Sequence, residues 1–395
     1  MNPITEQSVT NRGSNGLLLQ WRSHQLQISR RLLAVVAVLT VSATLTAGLW
    51  PFHSPVNQVA WVAGENALRF RRHGTALSQG RLLSRSFEQT GCSIELWLRP
   101  ARIWTTGSVL AFYDAARGET FSVQQDETDL LLQIERRQAA SGETLTQMRV
   151  EDVFRRSEML LTITSDEKDT AIYLDGKLAT ASPTFHLSTS DISGQLILAN
   201  SPMREHGWGG EVRGLAVYQR VLSAQQVRQN YQSWTQSDDA AIEPSAEAIA
   251  VYRFDEHGGR VVHNAVPSAA DLEIPKRIVV VDQLRFEAPA SELATQPTYA
   301  KNVVINILGF VPLGFVAGLC FATSRNVRGA AAAIMAVLAG TALSLTIEYF
   351  QSFLPTRFSG ETDILTNTLG TAIGVVFSGA MVRYLAKQSA STRVR

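Results

Sequence analysis

Cysteine is nearly absent from this 395-residue sequence, which has Cys92 and Cys320 and no others. Cys320 sits in an apolar run and Cys92 in an alternating, strand-like one. A bridge, which needs Cα atoms within about 7 Å, is therefore not expected, and two distant thiolates exclude a cysteine-rich metal site. Charge is scarce as well, at 18% Asp, Glu, Lys and Arg, against about 25% in ordinary soluble domains. With 36 basic and 35 acidic residues the net charge is +1, which excludes a strongly basic nucleic-acid binder or an acidic tail. No glycine-rich loop followed by Lys-Ser/Thr is present, and the seven histidines show no H-x-x-x-H spacing. Neither a nucleotide nor a histidine-bound zinc is expected, and no other cofactor is indicated.

The charge deficit is uneven. Leu32–Trp50 is an uncharged stretch after Arg30 and Arg31, long enough at 1.5 Å per residue to cross most of a ~30 Å hydrocarbon core. It exceeds the roughly 7–15 residues of a signal-peptide core, so it reads as an uncleaved anchor; cleavage near Ala47 is the rival. Three more apolar runs follow at Val303–Phe321, Gly329–Phe350 and Ile364–Leu385. Gly314/Gly318 and Gly370/Gly374 have the four-residue spacing that lets membrane helices approach closely.

Four spans place residues 1–31, the loop around Ser324 and the C-terminal tail on one side. Together these hold ten Lys and Arg against one acid, Glu6. The positive-inside rule predicts that both termini are cytoplasmic and the middle is external. The expected organisation is a cytoplasmic segment 1–31, an anchor 32–50, an external domain 60–265, a linker 266–300, a three-helix membrane domain 301–386 and a tail 387–395.

The roughly 250 residues between Pro51 and Lys301 are rich in short alternating runs. Cys92–Arg99 alternates Cys92, Ile94, Leu96 and Leu98 with Ser93, Glu95, Trp97 and Arg99, predicting a half-buried strand. Met159–Thr164, Ala171–Leu174, Lys177–Ala181, Gln195–Ala199 and Glu211–Tyr218 read as further strands, with Asp175-Gly176 as a hairpin turn. One short helix is predicted after Ser223, with Gln226 completing a capping box and Leu222 and Val227 in staple positions. The fold class is thus multi-domain α and β: a β-sandwich (jelly roll) ectodomain plus an α-helical transmembrane bundle. No strand carries the E-x-D-x-E run of a sandwich glycosidase: Leu131 breaks the Glu127/Asp129 series, and Asp166, Glu167 and Asp169 share a turn. These carboxylates, with Glu95, are expected to be solvated. Trp104 and Trp208 lie in loop-like surroundings where a tryptophan could stack on a sugar, or pack in the core or rim.

ENALRFRRHGTAL, GCSIELWLRP, AIYLDGKLA and GWGGEVRGLAVYQRVLSAQQVRQNY, in that order over about residues 60–235, resemble successive parts of a laminin-G-like, concanavalin-type jelly roll. The resemblance implies a binding domain for a glycan or protein. Such domains often begin with an aromatic strand of the type W-x-F-D-E-x-x-G. Here VYRFDEHGGRVVHN at 251–264 follows the helix instead, so residues 248–256 are expected to complete the sandwich.

In the C-terminal quarter, Asn302/Asn306 and Asp363/Asn367 are four apart and Glu348/Gln351 three apart, so each pair shares a helix face. Four spans bring all six, with Arg357, to one depth near the outer interface, where ionisable groups are costly unless paired or functional. The alternative is structural: Glu348 pairing with Arg357 while the amides bridge helices. NILGFVPLGF and SLTIEYFQSFLPTRFSGETDILTNTLGTAIG, with Asn306, Glu348, Gln351, Arg357, Asp363, Asn367 and Gly370 at matching positions, resemble the VanZ-like family of membrane proteins. The resemblance implies an envelope protein of the bacterial plasma membrane whose named relative is linked to teicoplanin resistance, and no defined reaction. The leading expectation is a binding protein. Its membrane cluster (Asn306, Glu348, Gln351, Arg357, Asp363, Asn367) would engage a membrane lipid or lipid-linked envelope precursor, and nucleic acid is not a partner. The rival is an enzyme with Glu348 or Asp363 as general acid/base and Arg357 as clamp; a third reading is a structural scaffold.

Overall fold

The computed structural model describes residues 13–83, 91–138, 142–236, 247–267, 269–283, 285–295, 299–322, 329–357 and 359–391. The chain divides into two compact units: His53–Leu284 with Leu354–Phe358, and Met1–Phe52 with Arg285–Phe353 and Ser359–Arg395.

The first unit is a sandwich of two antiparallel sheets. One runs Val59–Trp61, Leu68–Phe70, Gly210–Tyr218, Cys92–Pro100, Met159–Ser165, Thr170–Leu174, Lys177–Ser182. The other runs Val261–Val262, Leu272–Glu273, Ala76–Arg81, Gln195–Leu198, Thr106–Asp114, Gly118–Asp126, Asp129–Gln138, Gly142–Val150. Ile94, Leu96, Leu98, Phe112, Phe121 and Leu215 are among the residues that close the core between the sheets. The Asp175-Gly176 turn has positive φ at both residues, 52° and 74°, the conformation a two-residue hairpin favours.

The strand expected from VYRFDEHGG is present. Ala248–Tyr252 pairs antiparallel with Leu215–Tyr218, on the edge whose other half, Gly210–Val212, pairs with Leu68–Phe70. Tyr252 and Phe254 are fully buried. The stretch 266–300, expected as a linker, carries the strand Leu272–Glu273 and a short helix, Pro289–Thr295.

Ala224–Gln236 is the predicted helix, and Ser223 and Gln226 form its capping box: Gln226 N–H donates to Ser223 Oγ at 3.3 Å and Ser223 N–H to Gln226 Oε1 at 2.9 Å. It covers the outer face of the first sheet, where Leu222, Val227 and Trp234 pack with Leu160, Ala216 and Tyr218. This overturns the half-buried reading of Cys92–Arg99, because Ser93 and Glu95 on the supposed solvent face are buried. Glu95 accepts from Tyr218 Oη (3.1 Å), Trp234 Nε1 (3.1 Å) and Asn230 Nδ2 (3.0 Å). Its carboxyl is pushed up from the ordinary range by burial, which outweighs those three bonds and the field of Arg220.

The second unit is helical. We label its helices α1 (Gly13–Leu49), α2 (Pro289–Thr295), α3 (Tyr299–Ala322), α4 (Ala330–Gln351) and α5 (Glu361–Ser391). Four segments, Arg30–Leu49, Tyr299–Ala322, Ala330–Gln351 and Glu361–Tyr384, are long and apolar enough to cross a membrane. The paired glycines work as the spacing predicts. A methyl on Gly314 would overlap the Thr371 carbonyl, one on Gly370 the Ile307 carbonyl, and one on Gly374 the Val311 carbonyl, so α3 and α5 meet backbone to backbone. α1 belongs to this bundle. Val41, Leu45 and Leu49 pack on Phe310, Leu313 and Ile347.

Candidate functional site

Hydrogen bonds between helix ends put the C-termini of α1 and α4 and the N-termini of α3 and α5 at one end of the bundle. Gln351 Nε2 donates to the Gly48 carbonyl at 2.8 Å, satisfying a last-turn carbonyl that α1 itself cannot pair. Asn306 Nδ2 donates to Asp363 Oδ1 at 2.7 Å, joining α3 to the first turn of α5. One turn deeper, Asn367 Nδ2 donates to Ser344 Oγ at 2.9 Å, joining α5 to α4.

Glu348, 1% exposed, accepts the backbone N–H of Gly360 at 3.1 Å. Sequence reasoning missed its companion. Glu292 of α2, 3% exposed, accepts the N–H of Thr362 at 3.2 Å, and a methyl on Gly360 would overlap its carboxylate. Two buried carboxylates therefore cap the N-terminus of α5, where exposed N–H groups and the helix dipole favour negative charge. The segment before α2 is bonded to the same turn, with Glu287 N–H on the Ser359 carbonyl and Glu361 N–H on the Glu287 carbonyl, both at 3.0 Å.

Of the six predicted site residues, Asn306 and Asp363 are bonded to each other, and Glu348, Gln351 and Asn367 lie at the same end of the helical unit. Arg357 belongs to the sandwich unit, in a segment fastened by Gln283, whose Nε2 donates to the carbonyls of Leu354 (2.7 Å) and Arg357 (2.8 Å).

The cluster is rich in acceptors. Besides the carboxylates of Glu292, Glu348 and Asp363, Oε1 of Gln351 and Oδ1 of Asn367 are buried without a hydrogen-bond partner among the described residues. No group of three His, Cys, Asp or Glu among the described residues is arranged to hold a metal ion. Around the same end Trp50, Phe52, Tyr349, Phe350 and Phe353 are more than half exposed, and the Arg285 guanidinium lies 5.1 Å over the Phe353 ring. Such a girdle suits a membrane–water interface.

In the sandwich, the two candidate tryptophans differ. Trp208 is fully buried and donates Nε1 to Gln125 Oε1 at 2.8 Å, so it is a core residue. Trp104 is 67% exposed. Its loop is held by Gln125 Nε2, which donates to the carbonyls of Arg102 and Ile103, both at 2.9 Å. The other carboxylates weighed there have local duties: Asp129 binds the Asp152 N–H and Arg149, and Asp166 closes its own turn on the N–H groups of Lys168 and Asp169, contacts that hold both carboxyls below their ordinary range.

Residues 249–382 match the family model VanZ/LLP1. The C-terminal domain is VanZ-like. The match begins in the strand Ala248–Tyr252 and ends within α5. Residues 73–228 match the concanavalin A-like lectin/glucanases superfamily, so the VanZ-like domain follows a lectin-like jelly roll on one chain. Comparison with curated proteins gives no match. Among solved structures, the chain is similar to the binding domain of botulinum neurotoxin DC in complex with rat synaptotagmin II (11% identity, 45% of this chain and 46% of that one, TM-score 0.34). It is also similar to a candidate carbohydrate binding protein from Bacteroides ovatus (9% identity, 58% and 62%, TM-score 0.35). The chain spans about half to three fifths of the length of these structures.

Proposed function

We propose that the protein is a binding protein of the bacterial plasma membrane. In this reading the jelly roll lies outside the cell and engages a glycan or protein of the envelope, and the VanZ-like domain engages an amphiphile. The ten-to-one excess of basic residues in the flanking segments supports that orientation. The link of the family's named relative to teicoplanin resistance supports an envelope setting.

The observation that carries the proposal is the acceptor-rich cluster at the girdled end of the helical unit. Carboxylates and bare amide oxygens complement hydroxyl or ammonium donors and repel phosphate. The ligand group is therefore the hydroxyl- or amine-bearing part of a membrane lipid or lipid-linked precursor. Binding is favoured over catalysis because Glu348 and Asp363 each accept an N–H group that holds helices together, a structural use that a proton-shuttling base would disrupt. Trp104 is the glycan-stacking candidate of the jelly roll, being exposed on a fastened loop.

The test is mass spectrometry of lipids and glycans that co-purify with the full chain, repeated with Glu348→Gln and Trp104→Ala. A lipid lost with the first variant and a glycan lost with the second support the two halves. Unchanged co-purification in both removes them.

A further inference from the structure

We infer that the groove between α1 and α3 holds the hydrocarbon chain of a membrane lipid whose headgroup sits at the Glu348–Asp363–Gln351 cluster. The inference rests on the proposed role of that cluster and adds the site for the apolar part of its ligand. Val36, Leu39, Ala43 and Ala47 form one wall, and Gly309 and Pro312 the other. Two hydroxyls also line it, but neither is offered to a ligand: Thr40 Oγ1 donates to the Val36 carbonyl at 2.8 Å and Thr44 Oγ1 to the Thr40 carbonyl at 2.9 Å. The surface thus has nothing for a polar occupant and sits in segments fit to span a bilayer, where the available occupant is an acyl chain.

Shape and position distinguish this groove from the rest of the lipid-facing surface. Gly314, Gly370 and Gly374 are filled by a neighbouring helix, whereas a Cβ at Gly309 would meet nothing within 4 Å. Glycine there opens the wall. From Val36 to Ala47 the groove runs roughly 16 Å, about half of a ~30 Å hydrocarbon core and so one leaflet deep. Both walls lead to the cluster. Ala47 precedes Gly48, whose carbonyl is held by Gln351, and Gly309 lies one turn from Asn306, which is bonded to Asp363. A chain in the groove therefore delivers its headgroup to the acceptors.

The experiment uses the full chain in nanodiscs containing phosphatidylethanolamine with a photoactivatable acyl chain, the label being mapped by peptide mass spectrometry. Labelling is expected to concentrate on peptides with residues 36–47 and 309–312. Gly309→Leu, which has room for its side chain, and Ala43→Leu on the opposite wall should each lower it roughly tenfold, the equivalent of about two buried methylenes, with unchanged thermal unfolding. Label spread evenly over exposed apolar residues such as Val376 and Phe377, or indifference to both leucines, overturns the inference. A second arm separates the two ideas. Groove labelling that survives Glu348→Gln and is equal for phosphatidylethanolamine and phosphatidylglycerol would establish the chain site and refute the headgroup role of the cluster.

Discussion

Glu292 and Glu348 cap the same helix: one accepts the N–H of Thr362, the other that of Gly360, and both are buried. One comes from a short helix before the bundle and the other from the last turn of α4, so the start of α5 is fixed by two separate parts of the chain. The tight space around Gly360 gives a direct check. Gly360→Ala should destabilise the helical unit by roughly 1–3 kcal/mol through overlap with the Glu292 carboxylate, read as a lowered thermal midpoint in detergent. Gly309→Ala, in open space, is the control and should leave the midpoint unchanged.

Because the two carboxylates serve one helix end, their contributions should be coupled. Glu292→Gln and Glu348→Gln are each expected to cost about 0.5–2 kcal/mol, the range of a helix cap. The double variant should depart from the sum by more than about 0.5 kcal/mol. A double-mutant cycle on unfolding free energies measures this, and additive costs would mean that the two caps act independently.

Glu95 makes the stability of the sandwich depend on pH. Burial raises its carboxyl in the folded state, so the folded protein binds that proton more tightly than the unfolded chain does. Stability is then fullest below the ordinary carboxylate range and falls as pH rises through it toward the raised folded value. Denaturant unfolding of fragment 53–283 between about pH 4 and pH 8 should show this decline, and Glu95→Gln should reduce it, leaving the share of Glu119, whose carboxyl burial also raises. Trp234→Ala, which removes a fully buried ring and a donor to Glu95, should cost about 3–5 kcal/mol.

The late strand predicts a boundary. Fragment 53–236 lacks Ala248–Tyr252 of the first sheet and both Val261–Val262 and Leu272–Glu273 of the second, and loses the fully buried Tyr252 and Phe254. It should melt well below fragment 53–283, or fail to fold, because an open edge and bare core remain. Equal melting temperatures would refute the dependence.

The proposed orientation is tested by single cysteines at Ser14, Ser157 and Ser391 in a chain with Cys92 and Cys320 replaced. An impermeant thiol reagent applied to intact cells should label only Ser157→Cys. Labelling of Ser391→Cys would reverse the orientation.

Apolar run length and two-residue alternation were enough to read the candidate spans and seven of the sixteen strands among the described residues, because both report directly on what a residue must face. Neither reports what a distant helix covers. Glu95 reads as an outward residue within its own strand, and only Ala224–Gln236 lying across the sheet makes it a buried acceptor. Glu292 left no periodic trace either, being in a seven-residue helix whose role depends on Thr362 and Gly360, some 70 positions away. The VanZ-like spacing indicated Glu348 and Asp363, and even so did not disclose which backbone groups they hold.

The packing of α1 on α3 and α4 also has a consequence in time. α1 is made before its partners α3 and α4, with the whole sandwich translated in between. At about 5–20 residues per second, α1 waits roughly 15–60 s before Gln351 exists to take the carbonyl of Gly48. During that interval it is a lone helix with one flank unfilled, and the sandwich has time to fold before the bundle closes. Assembly of the helical unit thus waits until the sandwich has been made, and a chain that stops before α3 leaves α1 without the surface it packs on.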